Sequence, residues 1–378
     1  MFASPKTLQA INNWSKTGDH LELCFAVDIG GSGLRVRITN AKDPKQFLDL
    51  GHVRAQNTKE SLDVFTNLGQ ALKEIIPPFV SKGAALAVAG PISNGRAVLT
   101  NWIGDASART LVADELPELL FPRGKTVFLN DLEAGAYGII AAEQDGILES
   151  HFLKMWAHDP KVGKSQNIVS TNRTAVLAMG SGLGVALIMN SPMLTGPLVV
   201  PTELGHVQIP VVCHKDANCE FENELIQHVS NHYYEGKQTP EYEDIASGRG
   251  LCLTYQFFKQ KYENVKIPVE QIDAGDVAQS AKEGEKAARK ALEWHYRIFM
   301  RAAKGVATSL CCDSVVLALD NQVKNAWFVE AISDILHEEF YNFIRPDWME
   351  GIRVFTQTET LNFNILGTTY MALKQSKL

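Results

Sequence analysis

Apolar positions along the chain fall into two kinds of run. Short continuous runs predict buried strands: LELCFAVD (21–28), AALAVAG (84–90), TVFLN (126–130), TAVLAMG (174–180), VALIMN (185–190) and SVVLAL (314–319). Longer runs with a 3.6-residue period predict helices. At 61–76, Leu62, Phe65, Leu68, Leu72 and Ile76 share one face, and Pro77 and Pro78 stop the helix. From about Ala288 to Leu310, Ala288, Leu292, His295, Phe299, Ala302, Val306 and Leu310 keep the same period. LEAGAYGIIAA (132–142), entered through Asn130-Asp131, and NAWFVEAISDILHEEFYNFI (325–344) also read as helical.

Two of the strands run into glycine turns and out again. GGSG (30–33) leads into LRVRITN (34–40), and SGLG (181–184) leads into VALIMN. A strand, a glycine bend and a second strand form a hairpin. The unit recurs about 150 residues on, which predicts two related α/β domains with a cleft between them. The segment 155–172 reads as a surface insertion. The basic, Ala-rich helix at 283–304 reads as a solvated face with a core stripe.

Composition narrows the class. A chain of 378 residues favours two domains and buries a large core without staples. With 36 Lys+Arg against 43 Asp+Glu, the charge is -7 and the pI ≈ 5.8. That balance excludes a general nucleic-acid binder. A phosphate ligand stays open, because surface charge is screened over about 8 Å and local donors decide. Six scattered cysteines make no disulfide framework and point to a reducing compartment. The N-terminal MFASPKTLQAINNWSK lacks a secretory pattern, and no stretch of about 18 apolar residues exists to span a membrane. The terminal Ser376-Lys377-Leu378 reads as a peroxisome-type address.

Five elements carry candidate chemistry. Asp28-Ile29-Gly30-Gly31-Ser32-Gly33 ends a strand in bare backbone N–H groups that a phosphate can approach; an ordinary hairpin turn is the alternative. Gly180-Ser181-Gly182-Leu183-Gly184 repeats that design. It leads into a strand, not a helix, so a dinucleotide fingerprint does not fit, and no GK[ST] follows for a Walker loop. Asn130 and Asp131 close a strand and open a helix, where a plain N-cap is the competing reading. Glu203 and His206 lie three apart in PTELGH, where an ordinary polar loop is the alternative, and Glu243 lies ahead of a Ser-Gly helix break.

In this order the five elements resemble the bacterial-type (group A) glucokinases of the hexokinase superfamily. LNDLEAGAYG and the Ser-Lys-Leu end are most similar to the glycosomal glucokinases of trypanosomatids. The resemblance runs from about residue 21 to 370. It implies two ribonuclease-H-like domains of the actin-like ATPase/hexokinase superfamily. The expected division is 1–131 plus about 362–378 for the small domain and 132–361 for the large one. It implies ATP-dependent phosphorylation of glucose at the 6-hydroxyl. Asp131 matches the catalytic base, and Asn130, Glu203, His206 and Glu243 match sugar ligands, with Asn101 in the pocket wall. Asp28, Gly30, Gly31 and Ser32 match the first phosphate loop. Gly180, Ser181, Gly182 and Gly184 match the second. Mg²⁺ is expected to arrive with ATP near Asp28, without direct protein ligation. Glucose, ATP, a glycosomal import receptor and a second copy of the chain are the expected partners, and the glycosome the expected compartment.

Departures from the pattern are few. Asp320-Asn321 stands where many relatives have Gly-Gly, which alters the expected adenosine contacts. His206, Cys213, His214 and Cys219 lack the tight spacing of the zinc-binding sugar kinases and read as a surface loop. The alternatives are a kinase for another hexose or another phosphoryl donor, and a non-catalytic sugar sensor. Against the sensor, Asp131 is intact, and only about 20 residues precede the first strand where a DNA-binding segment would sit.

Overall fold

The computed structural model describes residues 21–76, 78–210 and 217–378, with the side chains of 217–220 excepted. The chain forms two compact units. One holds the described residues up to Ile147 together with Asn362–Leu378, and the other is Leu148–Leu361.

In the first unit, β1 (Leu21–Gly30) and β2 (Gly33–Asn40) form the anticipated hairpin, in register from Leu23↔Asn40 to Gly30↔Gly33. β3 (Phe47–Val53) extends it. After α1 (Thr58–Ile75), β4 (Phe79–Val88) and later β8 (Thr126–Asn130) join in parallel, giving the order β3-β2-β1-β4-β8. β1 is central and covered on both faces, which explains its unbroken apolar run. Asn57 caps α1 by accepting from Glu60 N–H, and Phe65, Leu68 and Leu72 of its apolar face are buried. A small sheet of β5 (Ile92–Ser93), β6 (Arg96–Val98) and β7 (Thr110–Val112) follows β4. α2 (Asp131–Gln144) runs on directly from β8.

The unit boundary falls after α2, at Ile147, not at Asp131 as expected from the sequence. The reason is packing. α2 lies against the C-terminal helix (Phe363–Gln375) with glycines at the contact. A Cβ at Gly138 would stand 2.0 Å from Phe363 O, and one at Gly367 1.8 Å from Ala134 O. Only glycine permits backbones to approach so closely.

The second unit repeats the plan. β9 (Phe152–Lys154), β10 (Arg173–Met179), β11 (Leu183–Met189), β12 (Leu198–Thr202), β13 (Ser314–Ala318) and β14 (Arg353–Gln357) form a sheet ordered β12-β11-β10-β13-β14-β9. β10 takes the central place of β1, with an antiparallel neighbour on one side and a parallel one on the other. Helices α3 (Ala217–Tyr234), α4 (Gly248–Glu263), α5 (Ala274–Lys282) and α6 (Lys286–Ser309) lie between β12 and β13.

Two expectations hold only in part, for identifiable reasons. α6 is solvated at its start, where Lys286 and Arg289 are exposed, but further along its basic face is covered. Arg301 pairs with Glu222 of α3 and with Glu339, and Arg297 also pairs with Glu339. Neighbouring helices thus cover Arg297 and Arg301 with carboxylates. The segment 155–172 runs largely on the surface but is pinned into the core at several points. Met155, Trp156, Val162, Ile168 and Val169 are buried, and Trp156 Nε1 donates to Ser333 Oγ at 2.9 Å. Cys213, His214 and the Cys219 side chain lie outside the described residues. Among the described residues no helix is long and apolar enough to cross a membrane.

Candidate active site

In the first unit the hairpin turn is Gly31-Ser32, closed by the Gly30↔Gly33 pair. Asp28 lies buried two residues before Gly30. Its Oδ2 accepts from Arg35 Nη1 at 3.3 Å and Asn362 Nδ2 at 3.4 Å, and its Oδ1 from Asn364 Nδ2 at 3.2 Å. Ser32 Oγ stands 3.3 Å from His52 Nε2. Asn101 packs on the turn, since a Cβ at Gly31 would come within 3.1 Å of Asn101 Cβ. Asn101 therefore borders the glycine turn directly.

The helix-cap reading of Asn130 holds in the structure. Its Oδ1 accepts from Leu132 N–H at 3.0 Å, and Glu133 reaches back to Asn130 N–H, completing a capping box. Burial pushes the Glu133 carboxyl above its ordinary range. Asp131 is the first residue of α2, and its Oδ1 accepts from Leu132 N–H at 2.8 Å. The cap fixes where both side chains sit. Val88 pairs with Ile29 on one side and Asn130 on the other, so Asn130 lies two strands, about 10 Å, from the end of β1. Both occupy the carboxyl edge of the parallel strands, the edge where open α/β sheets bind ligands.

In the second unit the turn is Gly180–Gly182, closed by Gly180 N–H donating to Gly182 O at 2.8 Å. Gly184 lies within β11, opposite Ala178, and not in the turn. Glu243 is seated on the turn. Its Oε2 accepts from Leu183 N–H at 2.8 Å, and a Cβ at Gly182 would stand 2.7 Å from that oxygen. Gly182 thus makes room for a carboxylate as well as opening the turn. The loop carrying Glu203 and His206 docks beside it, because Gly205 lets the backbone meet Leu183 O, where a Cβ would lie at 2.0 Å. His206 Nδ1 lies 2.6 Å from Glu241 Oε2, and its Nε2 lies 3.8 Å from Glu203 Oε2. The bond to Glu241 raises the imidazole pKa above its ordinary value, with Glu243 and Glu203 adding to the same effect. A protonated ring donates from both nitrogens. The result is an acceptor-rich group of Glu203, His206 and Glu243 against the second glycine turn.

Sequence reasoning missed several contributors. Asn362 and Asn364 hold Asp28, and an N-x-N pair ahead of an apolar run was the available signal. Glu241 orients His206, and Arg249 donates to Glu243 and Asp244. Asn321 Nδ2 donates to Met179 O at 3.0 Å, tying the segment after β13 to the second turn. The preceding residue but one, Leu319, holds φ 91°, a region that side chains rarely adopt.

The glucokinase family model matches residues 25–318. Two glucokinases of Trichomonas vaginalis are each 54% identical over 97% of this chain and 96% of their own. Among solved structures, glucokinase from Balamuthia mandrillaris in complex with glucose superposes with a TM-score of 0.85 at 33% identity, covering 98% of this chain and 99% of that one. Leishmania braziliensis glucokinase superposes with a TM-score of 0.79 at 22% identity, covering 96% and 97%, and shows the fold. The fold is the two-domain actin-like ATPase/hexokinase fold, and the chain belongs to the glucokinase family.

Proposed function

We propose that the chain phosphorylates glucose at its 6-hydroxyl with ATP, using Asp131 as general base, Glu203, His206 and Glu243 as sugar ligands, and the two glycine turns as phosphate cradles. One observation carries the site assignment: the Glu243 carboxylate sits on the second glycine turn, so acceptors for a polyol and donors for a phosphate adjoin within one unit. Ionised carboxylates only accept, and sugar hydroxyls donate, so Glu203 and Glu243 suit a hexose. His206 supplies the complementary donor. In the first unit, Asn130 is assigned as a further sugar ligand and Asn101 as part of the sugar-pocket wall.

Phosphoryl transfer passes through a loose transition state, so positioning and charge neutralisation dominate. The capping box fixes Asp131 in place to accept the hydroxyl's proton as that hydroxyl becomes acidic. Family chemistry with ATP implies a divalent metal, and we assign it as Mg²⁺ held by phosphate oxygens and water near Asp28. Asp28 fits that place. Its three contacts are long, so its oxygens keep capacity to accept from a bound water. The metal would neutralise charge on the phosphate oxygens.

We also read Ser376-Lys377-Leu378 as a glycosomal import address. Lys377 and Leu378 are exposed, while Ser376 Oγ donates to Leu373 O at 2.7 Å, so a receptor reading Ser376 must break that bond. Loss of organelle import on deleting the three residues is the expected result.

The test of the enzyme reading is a coupled assay with ATP and Mg²⁺ across glucose, mannose and glucosamine, repeated with ADP and polyphosphate as donors. Glucose with ATP should give the highest kcat/KM. A purified chain that phosphorylates no hexose would end the proposal.

A further inference from the structure

We propose that Arg249 is a positioning residue for sugar recognition, holding the Glu243 carboxylate in the orientation that accepts from the hexose. The inference rests on the assignment of Glu243 as a sugar ligand and adds a residue to it.

Arg249 is the second residue of α4. Its Nη2 donates to Glu243 Oε1 at 3.0 Å and to Asp244 Oδ1 at 3.2 Å, and its guanidinium carbon lies 5.2 Å from the centre of the Tyr233 ring. Glu243 Oε2 is held from the other side by Leu183 N–H. Each oxygen is thus pinned by one donor, and each keeps a second lone pair for a sugar hydroxyl. Pinned at both oxygens, the carboxylate cannot rotate freely.

Asp244 anchors the arrangement. It is buried, and its Oδ2 takes both the Tyr234 hydroxyl at 2.6 Å and Glu241 N–H at 2.9 Å. Arg249 therefore bridges a fixed carboxylate and a functional one. Among the described residues it is the cation paired with either. Without it, two adjacent carboxylates, one of them buried, lose their shared counter-charge. Glu243 is the one with room to turn away, because only Leu183 N–H still holds it.

A merely structural arginine would show itself in stability alone. A positioning arginine shows itself in the KM for glucose, and the variants Arg249→Met and Arg249→Lys separate the two. Arg249→Met should raise the glucose KM about tenfold, the scale of one lost charge-assisted bond, with kcat and the ATP KM within about twofold of wild type. Arg249→Lys should return the glucose KM to within about threefold, because both bonds come from one nitrogen that an ammonium can replace. If Arg249→Met does not fold, Arg249→Gln, which keeps a donor but no charge, should show the same rise in KM. An unchanged glucose KM in a folded charge-removing variant, or a Lys variant as weak as the Met one, overturns the role. A wild-type chain inactive on glucose would instead overturn the sugar assignment itself.

Discussion

Both units end their central strand in a glycine hairpin, and the hairpins differ in what returns to meet them. The first is met by amides: Asn362 and Asn364 close on Asp28, and Asn101 packs on Gly31. The second is met by a carboxylate: Glu243 presses on Gly182, with Arg249 behind it and Leu319 beside Gly180. In one case amide donors surround a buried acid before the turn. In the other, an acid accepts from the backbone of the turn itself. A glycine hairpin alone is generic, and the segments that come back to it give each copy its chemistry.

The heaviest loss should follow from a residue that neither turn supplies. Asp131→Ala is expected to lower kcat by roughly 10²–10⁴ with a much smaller change in glucose KM, measured by steady-state kinetics. Near-normal turnover would remove Asp131 as the base and leave the turns to account for catalysis. The contrast between the turns is tested by the pair Gly182→Ala and Gly31→Ala. At 182 the new methyl meets Glu243 Oε2 at 2.7 Å, and at 31 it meets Asn101 Cβ at 3.1 Å. The first should raise the glucose KM by roughly tenfold or more, because it pushes the Glu243 carboxylate off its position, and the second by about threefold or less, because its closest contact is looser and displaces no carboxylate. Equal effects would mean that Glu243 is not confined by its turn.

Leu319 offers a smaller test. Its φ of 91° with ψ of 158° is a conformation that favours glycine, and strain there amounts to about 1–3 kcal/mol. Leu319→Gly should stabilise the chain by about 1 kcal/mol in urea unfolding, after glycine's own entropic cost. Destabilisation would show that the side chain's contacts outweigh the strain.

The smallest effect concerns pH. Glu241 raises the His206 pKa above its unfolded value. The stability so gained is complete below about pH 6.5 and is lost as pH rises through the higher folded value. The ring is half exposed, so the gain is at most a few tenths of a kcal/mol. In Glu241→Gln the His206 resonance should titrate at lower pH by NMR. An unshifted titration would dismiss the pairing.

Much of this architecture was legible in the residues. The two hairpins, α1, α2 and the centre of α6 lie within a few residues of where periodicity put them, because each has a run long enough to show its period. The exposure of α6 was not legible. Arg297 and Arg301 look solvated in sequence, and only their remote partners Glu222 and Glu339 bury them. Residues 325–344 read as one helix but form two, Ala326–Ala331 and Ser333–Tyr341, which break at Ile332 within a continuous apolar pattern. At the site, Asn130 and Asp131 stood out because they adjoin a strand end. Arg249, Glu241, Asn362 and Asn364 act through side chains brought from other elements, and no local spacing announces them.

The C-terminal helix gives the molecule an order of events. It supplies the two asparagines on Asp28 and, through Gly367, the surface against which the helix bearing Asp131 rests. The first unit is thus assembled from two stretches of chain separated by the whole of the second unit. Synthesised from its N-terminus, the chain has made every residue of the second unit before Asn362, Asn364 and Gly367 exist, so the contacts on Asp28 and on the helix bearing Asp131 close last.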